Sequence, residues 1–263
     1  LMLGALSLTD QQEKQRRRRY GPIVLASLVG AVLVWGMSDL PAFGDPDSPI
    51  HHHLAPRYIS DSATIIGIPN IVTVVLASFR GYDTLGETAV VLTAGVSVLL
   101  LLGRLRPEGP TVEKTAGERA IRMVDMPVVR VVSIALVPCI LLFALYVQFH
   151  GDFGPGGGFQ AGVLFAAGLV LYGLVFGLKA LHRLVPEDAV VVAIALGVLL
   201  YGGVGVATMA LGGNFLEYGV LDSHDPNHGQ HLGILLVELG VGLTVTAVML
   251  QIYYAFAGRW SRS

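Results

Sequence analysis

Long apolar segments alternate with short polar ones along the chain, and this pattern predicts membrane-spanning helices. A helix rises about 1.5 Å per residue, so each apolar segment is long enough to cross the roughly 30 Å hydrocarbon core of a bilayer. We therefore predict an all-α integral membrane protein of about six transmembrane helices. The predicted spans are Pro22–Leu40, Thr84–Gly103, Val128–Phe149, Gly157–Leu178, Ala189–Leu211 and Leu232–Ala257.

A further apolar segment, Ser62–Phe79, has the composition of a seventh span. Pro69 and Asn70 interrupt it, however, and proline removes a helical hydrogen bond. If the segment crossed the membrane, every later basic loop would move to the outer side. We therefore predict a short interfacial or half-inserted helix on the outer side.

Lysine and arginine residues set the predicted orientation, because loops that carry them stay in the cytoplasm. With the run Arg16–Arg19 placed inside, all 17 lysines and arginines except Arg57 and Arg80 fall on the cytoplasmic side. Both termini are then cytoplasmic. The predicted outer loops are net acidic, which fits either ordinary solvation or attraction of cations.

Composition excludes a soluble enzyme, since 53% of the residues are hydrophobic and only 14% are charged. The sequence has no phosphate-binding loop, no G-x-S-x-G and no C-x-x-C, and its lone cysteine, Cys139, lies within a predicted span. We expect no catalytic motif, no cofactor and no nucleic-acid partner. The arginine run is a membrane anchor in this interpretation.

The charged segment Arg104–Asp125 contains two prolines and two glycines and predicts a boundary. We expect a cytoplasmic basic tail at 1–20, a two-span module at 21–103, a cytoplasmic linker at 104–126 and a four-span domain at 127–263.

Glu238 is the only acidic residue well inside a predicted span. An ionisable group at that depth is a functional candidate by default. It lies seven residues into the predicted last span, or on the order of 10 Å from its outer end. The alternative is a protonated structural glutamate that bonds across helices.

A second candidate cluster lies at the outer end of the second span and contains Arg80, Asp83 and Glu87. In one interpretation Thr84 and Glu87 form a capping box at the helix start. In the other, the cluster holds or relays a proton or a cation.

The outer segment Asp222–His231 is predicted as a polar loop. Its histidines His224, His228 and His231 are weak zinc-ligand candidates, and we assign no metal site. A proton-collecting surface or no specific role are the other interpretations.

Glycines indicate close backbone packing. The turn formed by Pro155, Gly156, Gly157, Gly158 and Phe159 predicts a tightly bent corner. Small residues let membrane helices approach, so we also expect packing at Gly158 with Gly162, Gly173 with Gly177, and Gly202, Gly203 and Gly205.

Two motifs resemble a known family. PGGGFQAG at Pro155–Gly162, followed by HLGILLVELGVGLTV at His231–Val245, resembles the B subunit (MnhB) of the multisubunit Mrp (Mnh) sodium/proton antiporter, over Val128–Gly258. Upstream, Pro69–Ala94 resembles the C-terminal end of the large A subunit, a piece that is a small separate subunit in membrane-bound hydrogenase relatives.

The resemblance implies an accessory subunit in a bacterial or archaeal cell membrane, packed against large antiporter-like subunits and small subunits that exchange Na⁺ for H⁺. The alternative is the same module in a redox-driven complex. By matching motifs, Arg80 and Glu87 fall on the charged pair of the A-subunit tail, and Pro155, Phe159 and Glu238 on family positions. Ser78 departs from the family, which commonly has an acidic residue there. A self-sufficient channel and a purely structural spacer are the rival classes.

Overall fold

In the computed structural model, residues 2–103 and 126–260 are described, with side chains described for 20–101 and 126–257. The predicted linker Arg104–Asp125 therefore lies outside the described residues. Described elements are all helical. They are α1 (Met2–Met37), α2 (Pro49–His52), α3 (Leu54–Asp61), α4 (Ile71–Thr73), α5 (Gly81–Gly103), α6 (Pro127–His150), α7 (Gly158–Phe176), α8 (Leu178–Leu184), α9 (Glu187–Ala210) and α10 (Pro226–Trp260).

Six of these helices are long and apolar enough to cross a membrane, which confirms the predicted fold class. They are α1, α5, α6, α7, α9 and α10. The chain forms two compact units, Leu1–Pro56 and Arg57–Ser263. The first unit contains α1 and α2, and the second contains the other five long helices.

The centre of the second unit is α10. It packs against α9, α7 and α5, while α6 packs mainly against α7. More than half of the spanning part of α10 is buried, a larger share than in any other described span. Its apolar side chains join two core clusters, one with Tyr201, Tyr218 and Ile234 and one with Leu181 and Tyr254.

The last helix begins six residues before the predicted span, so the prediction that Asp222–His231 is entirely loop is wrong. Pro226 occupies the first helical position, where a missing N–H costs nothing. Asp225 precedes it and accepts hydrogen bonds from the backbone N–H groups of Asn227 and His228, at 3.0 and 3.2 Å. The first residues of α10 are polar, so a pattern of apolar residues does not predict that the helix begins there.

The apolar segment Ser62–Phe79 forms two helical pieces separated by a break. A π-helical turn, Ser62–Ile66, continues α3, and a second one, Val74–Phe79, continues α4. The two pieces diverge by 96° across the break at Gly67–Asn70. The second piece buries Val74 and Ala77 in the same core cluster as Tyr218. The break falls where Pro69 and Asn70 interrupt the apolar segment, whereas its predicted half-inserted position on the outer side stays a prediction.

Glycine residues allow the backbones of neighbouring helices to come into contact. A Cβ on Gly158 would collide with the carbonyl of Glu238 in α10, and one on Gly197 in α9 would stand 2.6 Å from the carbonyl oxygen of Gly240. Packing is likewise confirmed for Gly162, Gly173 and Gly205. By contrast, a Cβ on Gly177, Gly202 or Gly203 would meet nothing within 4 Å, so these three do not serve packing among the described residues.

We predict that Gly197→Ala destabilises the bundle by about 1 to 3 kcal/mol, because an added methyl group overpacks the α9–α10 contact. Gly203→Ala is the matched control on the same helix and leaves stability unchanged or slightly raised. Thermal unfolding of the purified complex, followed by size exclusion, measures both. Equal melting temperatures for the two variants would contradict this packing role.

Candidate functional site

A cavity of about 270 Å³ lies inside the second unit, between the broken helical segment, α5, α7, α9 and α10. Two carboxylates line it, Glu87 from α5 and Glu238 from α10. Most of the remaining wall is apolar or backbone. Its other members include Thr73, Thr84, Thr88, Gln160, Tyr201, Gly156, Gly157, Gly158 and Phe159.

Glu238 is half-buried, and its carboxylate lies against the glycine turn between α6 and α7. A Cβ on Gly157 would come 2.8 Å from Glu238 Oε1, and one on Gly151 would come 2.9 Å from Oε2. Gly157 also has a φ of +113°, a conformation that side chains disfavour. The glycines therefore make room for this carboxylate.

Because α10 starts at Pro226, Glu238 lies about 18 Å along the helix from its first residue. The sequence-based estimate of about 10 Å was too small, since it counted from Leu232.

Glu87 lies at the exposed edge of the cavity. The predicted capping box is wrong, because α5 begins at Gly81 and Thr84 is already inside the helix. Thr84 Oγ1 instead donates to the carbonyl of Leu76 in the preceding π-helical turn, at 2.8 Å. Glu87 is therefore free of a capping role.

Arg80 and Asp83 are exposed and pair with each other, with Arg80 Nε 2.6 Å and Nη2 2.5 Å from Asp83 Oδ2. An exposed pair of this kind contributes about 0 to 1 kcal/mol. Neither residue lines the cavity. The structure thus divides the predicted charged cluster into a surface ion pair and one cavity carboxylate.

The ion pairs within the described part of the chain involve residues other than Glu87 and Glu238. An exposed carboxylate in a membrane span is costly against lipid. The exposed edge at Glu87 therefore suits water or another polypeptide better than lipid.

Two buried tyrosines bind backbone carbonyls near the start of α5, and one of them, Tyr201 of α9, lines the cavity. Tyr201 Oη donates to the carbonyl of Gly81 at 2.7 Å, and Tyr218 Oη donates to the carbonyl of Ala77 at 2.8 Å. The two carbonyls lie on either side of Arg80, where the π-helical turn Val74–Phe79 gives way to α5. The tyrosine hydroxyls therefore tie α9 and the turn before α10 to this junction.

Asn70 ties the broken segment to the glycine turn. Its Nδ2 donates to the carbonyls of Gly151 and Gly154, at 2.7 and 2.6 Å, and to Thr73 Oγ1 at 2.9 Å. Its Oδ1 accepts from the N–H of Val72 and caps α4. The sequence marked Asn70 only as an interruption, and this long-range role has no local signal.

The three outer histidines do not converge. His228 Nδ1 pairs with Asp222 Oδ2 at 2.9 Å, whereas His231 Nδ1 pairs with Asp152 Oδ2 at 2.7 Å. His224 lies beside Ser223. No three metal-ligating side chains come together among the described residues, so the weak zinc interpretation has no geometric support.

Asp222 organises the turn before α10. Its Oδ1 accepts from the N–H groups of His224 and Asp225, at 2.9 and 3.2 Å. The hydrogen bond with His228 and these two backbone bonds lower the pKa of Asp222 to about 2. The turn therefore gains stability above the ordinary carboxyl pKa of 3.8 and loses it as the pH falls toward 2.

Asp152 is a buried carboxylate that the sequence did not single out. It is 6% exposed, and its Oδ1 has no hydrogen-bond partner among the described residues. Burial raises the pKa of Asp152 above its ordinary value, and the nearby His231 opposes part of that rise. Asp152 lies three residues before Pro155, outside the PGGGF motif.

Together, the spans and the carboxylate-lined cavity define a multi-pass membrane protein of the cell membrane with an ionisable interior site.

Comparison with known proteins confirms both sequence resemblances. Residues 128–251 match the family described as "Domain related to MnhB subunit of Na+/H+ antiporter", and residues 17–119 match the family MbhE, the E subunit of MBH. The chain is 33% identical over 115 residues to the B subunit of the Na(+)/H(+) antiporter of Bacillus subtilis, covering 80% of that protein and 40% of this chain. The chain belongs to the MnhB-related family of antiporter B subunits.

A longer relative spans both parts. The A/B subunit of a probable K(+)/H(+) antiporter from Rhizobium meliloti is 26% identical over a gapped alignment of 270 positions, which covers 94% of this chain and 26% of that protein. The chain thus spans about a quarter of the length of this relative.

Two solved structures are similar. A chain of the Mrp complex from Dietzia sp. DQ12-45-1b has a TM-score of 0.60 and 26% identity, over 89% of this chain and 25% of that chain. A chain of the membrane-bound sulfane sulfur reductase, an archaeal respiratory membrane complex, has a TM-score of 0.62 and 26% identity, over 91% of this chain and 98% of that chain.

We predict that Asn70→Ala destabilises the protein by about 2 kcal/mol, at roughly 1 kcal/mol for each of the two hydrogen bonds lost with carbonyls. Asn227→Ala is the control, since the exposed Asn227 side chain makes no hydrogen bond with the described residues. Hydrogen exchange of the peptide around Gly151–Gly157 measures the effect. We expect faster hydrogen exchange only in Asn70→Ala. Equal hydrogen exchange in both variants would show that Asn70 does not hold the glycine turn.

Proposed function

We propose that this chain is an accessory subunit of a multisubunit monovalent cation/proton antiporter, and that its cavity forms one step of the proton or cation path. The observation that carries the proposal is the meeting of Glu87 and Glu238 in a single cavity. The two residues belong to different parts of the sequence, one within the MbhE match and one within the MnhB match. A path that requires both carboxylates explains why the two modules pack together.

Membership of a larger assembly is supported by the exposed position of Glu87. A carboxylate at an open cavity edge in a span needs water or a polar neighbour. Glu87 has no cation beside it in the described part of the chain. We infer that a neighbouring subunit covers this edge and continues the path. The similar solved structures come from multisubunit membrane complexes, which agrees with this inference.

The proposal gives this chain a non-catalytic role. The cavity walls offer two carboxylates, hydroxyls and backbone, a set suited to holding protons or hydrated monovalent cations. Na⁺ and H⁺ are the proposed transported ions.

A redox-driven ion pump is the second candidate function. The match to a chain of the membrane-bound sulfane sulfur reductase covers 98% of that chain, so the same combination of modules stands as one polypeptide there. A census of subunits that copurify with the native complex separates the two. Antiporter-like subunits alone support the first function, and a redox partner supports the second.

We predict that Glu238→Gln lowers cation-dependent proton flux in vesicles by on the order of tenfold or more, because an amide cannot carry the proton. Glu87→Gln has a similar or smaller effect, since Glu87 lies at the exposed edge. The composition of the purified variant complexes is measured first, so that a loss of assembly is recognised.

Glu187→Gln provides the matched control. Glu187 is exposed in the first turn of α9 and pairs with His182 at 3.2 Å, and it does not line the cavity. We expect wild-type flux for this variant. Wild-type flux in assembled Glu238→Gln and Glu87→Gln complexes would remove both residues from the path and leave a structural spacer.

A further inference from the structure

We propose that Asp152 and His231 form the proton entry site of the cavity, through which protons exchange between the surface at the α6–α7 turn and Glu238. This inference rests on the proposed function, because it assigns the group that loads the cavity carboxylate.

The first support is the position of the pair between the surface and the cavity. His231 is 45% exposed at its side chain, whereas Asp152 is only 7% exposed. The two are joined by the bond between His231 Nδ1 and Asp152 Oδ2, at 2.7 Å. One end of the pair therefore reaches solvent and the other is buried.

The second support is the free oxygen of Asp152. Its Oδ1 is buried and has no hydrogen-bond partner among the described residues. Native proteins rarely leave a buried carboxylate oxygen unpaired, because desolvation is costly. A group that passes a proton onward needs such an oxygen.

The third support is the adjacent cavity carboxylate. Glu238 Oε2 lies against Gly151, the residue before Asp152, since a Cβ built on Gly151 would stand 2.9 Å from it. Further titratable groups that line the cavity are Glu87 on α5 and Tyr201 on α9. His150 at the end of α6 lies beside Gly154 in the same turn. No lysine or arginine among the described residues lines this cavity, so no fixed cation from them holds Asp152 or Glu238 ionised there.

The transfer moves one proton and no electrons. A proton from water adds at His231 Nε2, and the proton on Nδ1 passes to Asp152 Oδ2. Asp152 then gives a proton to the carboxylate of Glu238, directly or through one water molecule, and returns to its anionic form. The neutral imidazole then turns toward solvent, loses its Nε2 proton to water and takes one proton from water at Nδ1, which restores its starting tautomer.

The test uses the assembled complex in proteoliposomes and measures cation-driven proton flux from pH 6 to 9. In His231→Asn, the amide still donates to Asp152 but does not titrate. We expect assembly to be retained and flux to fall on the order of tenfold, less than the hundredfold typical of a positioned acid–base group because water substitutes in part. The pH at half-maximal flux is expected to shift. His228→Asn is the control, since His228 pairs with Asp222 away from the cavity, and it keeps wild-type flux.

Chemical rescue separates a proton carrier from a structural residue. In His231→Ala, added imidazole is expected to restore flux in proportion to its concentration. Wild-type flux in His231→Asn would overturn the entry site. An equal loss in both His231 variants, with an unchanged pH profile and no rescue by imidazole, would also overturn it and assign a structural role.

The outcome is distinguishable from failure of the proposed function. If Glu238→Gln abolishes flux while His231→Asn does not, the path stands and protons enter elsewhere. If Glu238→Gln has no effect, the path itself is refuted.

Discussion

The close approach of helix backbones to α10 is the constraint on which the described bundle depends. Lipid is as apolar as leucine, so hydrophobicity alone does not bring membrane helices together, and small residues provide the contact. Gly158 meets the backbone of α10 at Glu238, and Gly197 meets it at Gly240. A side chain at either position would push α7 or α9 outward and open the site that they enclose.

This packing has a direct electrostatic consequence. The glycine turn brings backbone, without side chains, up to the carboxylate of Glu238, while α5 brings Glu87 to the same cavity. Asn70 fixes the turn from the broken segment through two carbonyls. Glycine backbone and not side chains therefore borders the Glu238 carboxylate, and Asn70 helps to fix the position of that backbone.

Sequence reasoning predicted the spans well, because apolar length is a local property that the bilayer imposes directly. It placed the start of α10 too late, since Asp225 and Pro226 signal a helix by capping and not by hydrophobicity. Glu238 and Glu87 were singled out separately as charges near or within spans. Their meeting depends on how α5 packs on α10, which no local pattern records.

The roles of Asp152 and Asn70 were missed because each depends on a residue distant in sequence. Asp152 pairs with His231, 79 positions away, and Asn70 binds the carbonyl of Gly151, 81 positions away. The capping box at Thr84 was a plausible local pattern, but the preceding π-helical turn supplies the carbonyl that Thr84 binds. Contacts that the local sequence pattern does not record therefore decided the roles of Asp152, Asn70 and Thr84.

Proximity of Glu87 and Glu238 is the central claim, and cross-linking tests it most directly. The chain would carry Cys139→Ala, Glu87→Cys and Glu238→Cys, with a protease site inserted within 104–125. After assembly, a short thiol-reactive cross-linker is added and the chain is cleaved. We predict that the two fragments stay joined, whereas a Leu100→Cys and Glu238→Cys pair separates, since Leu100 lies about 20 Å further along α5. Separation of the Glu87–Glu238 fragments, with both cysteines reactive toward a monofunctional reagent, would contradict the account.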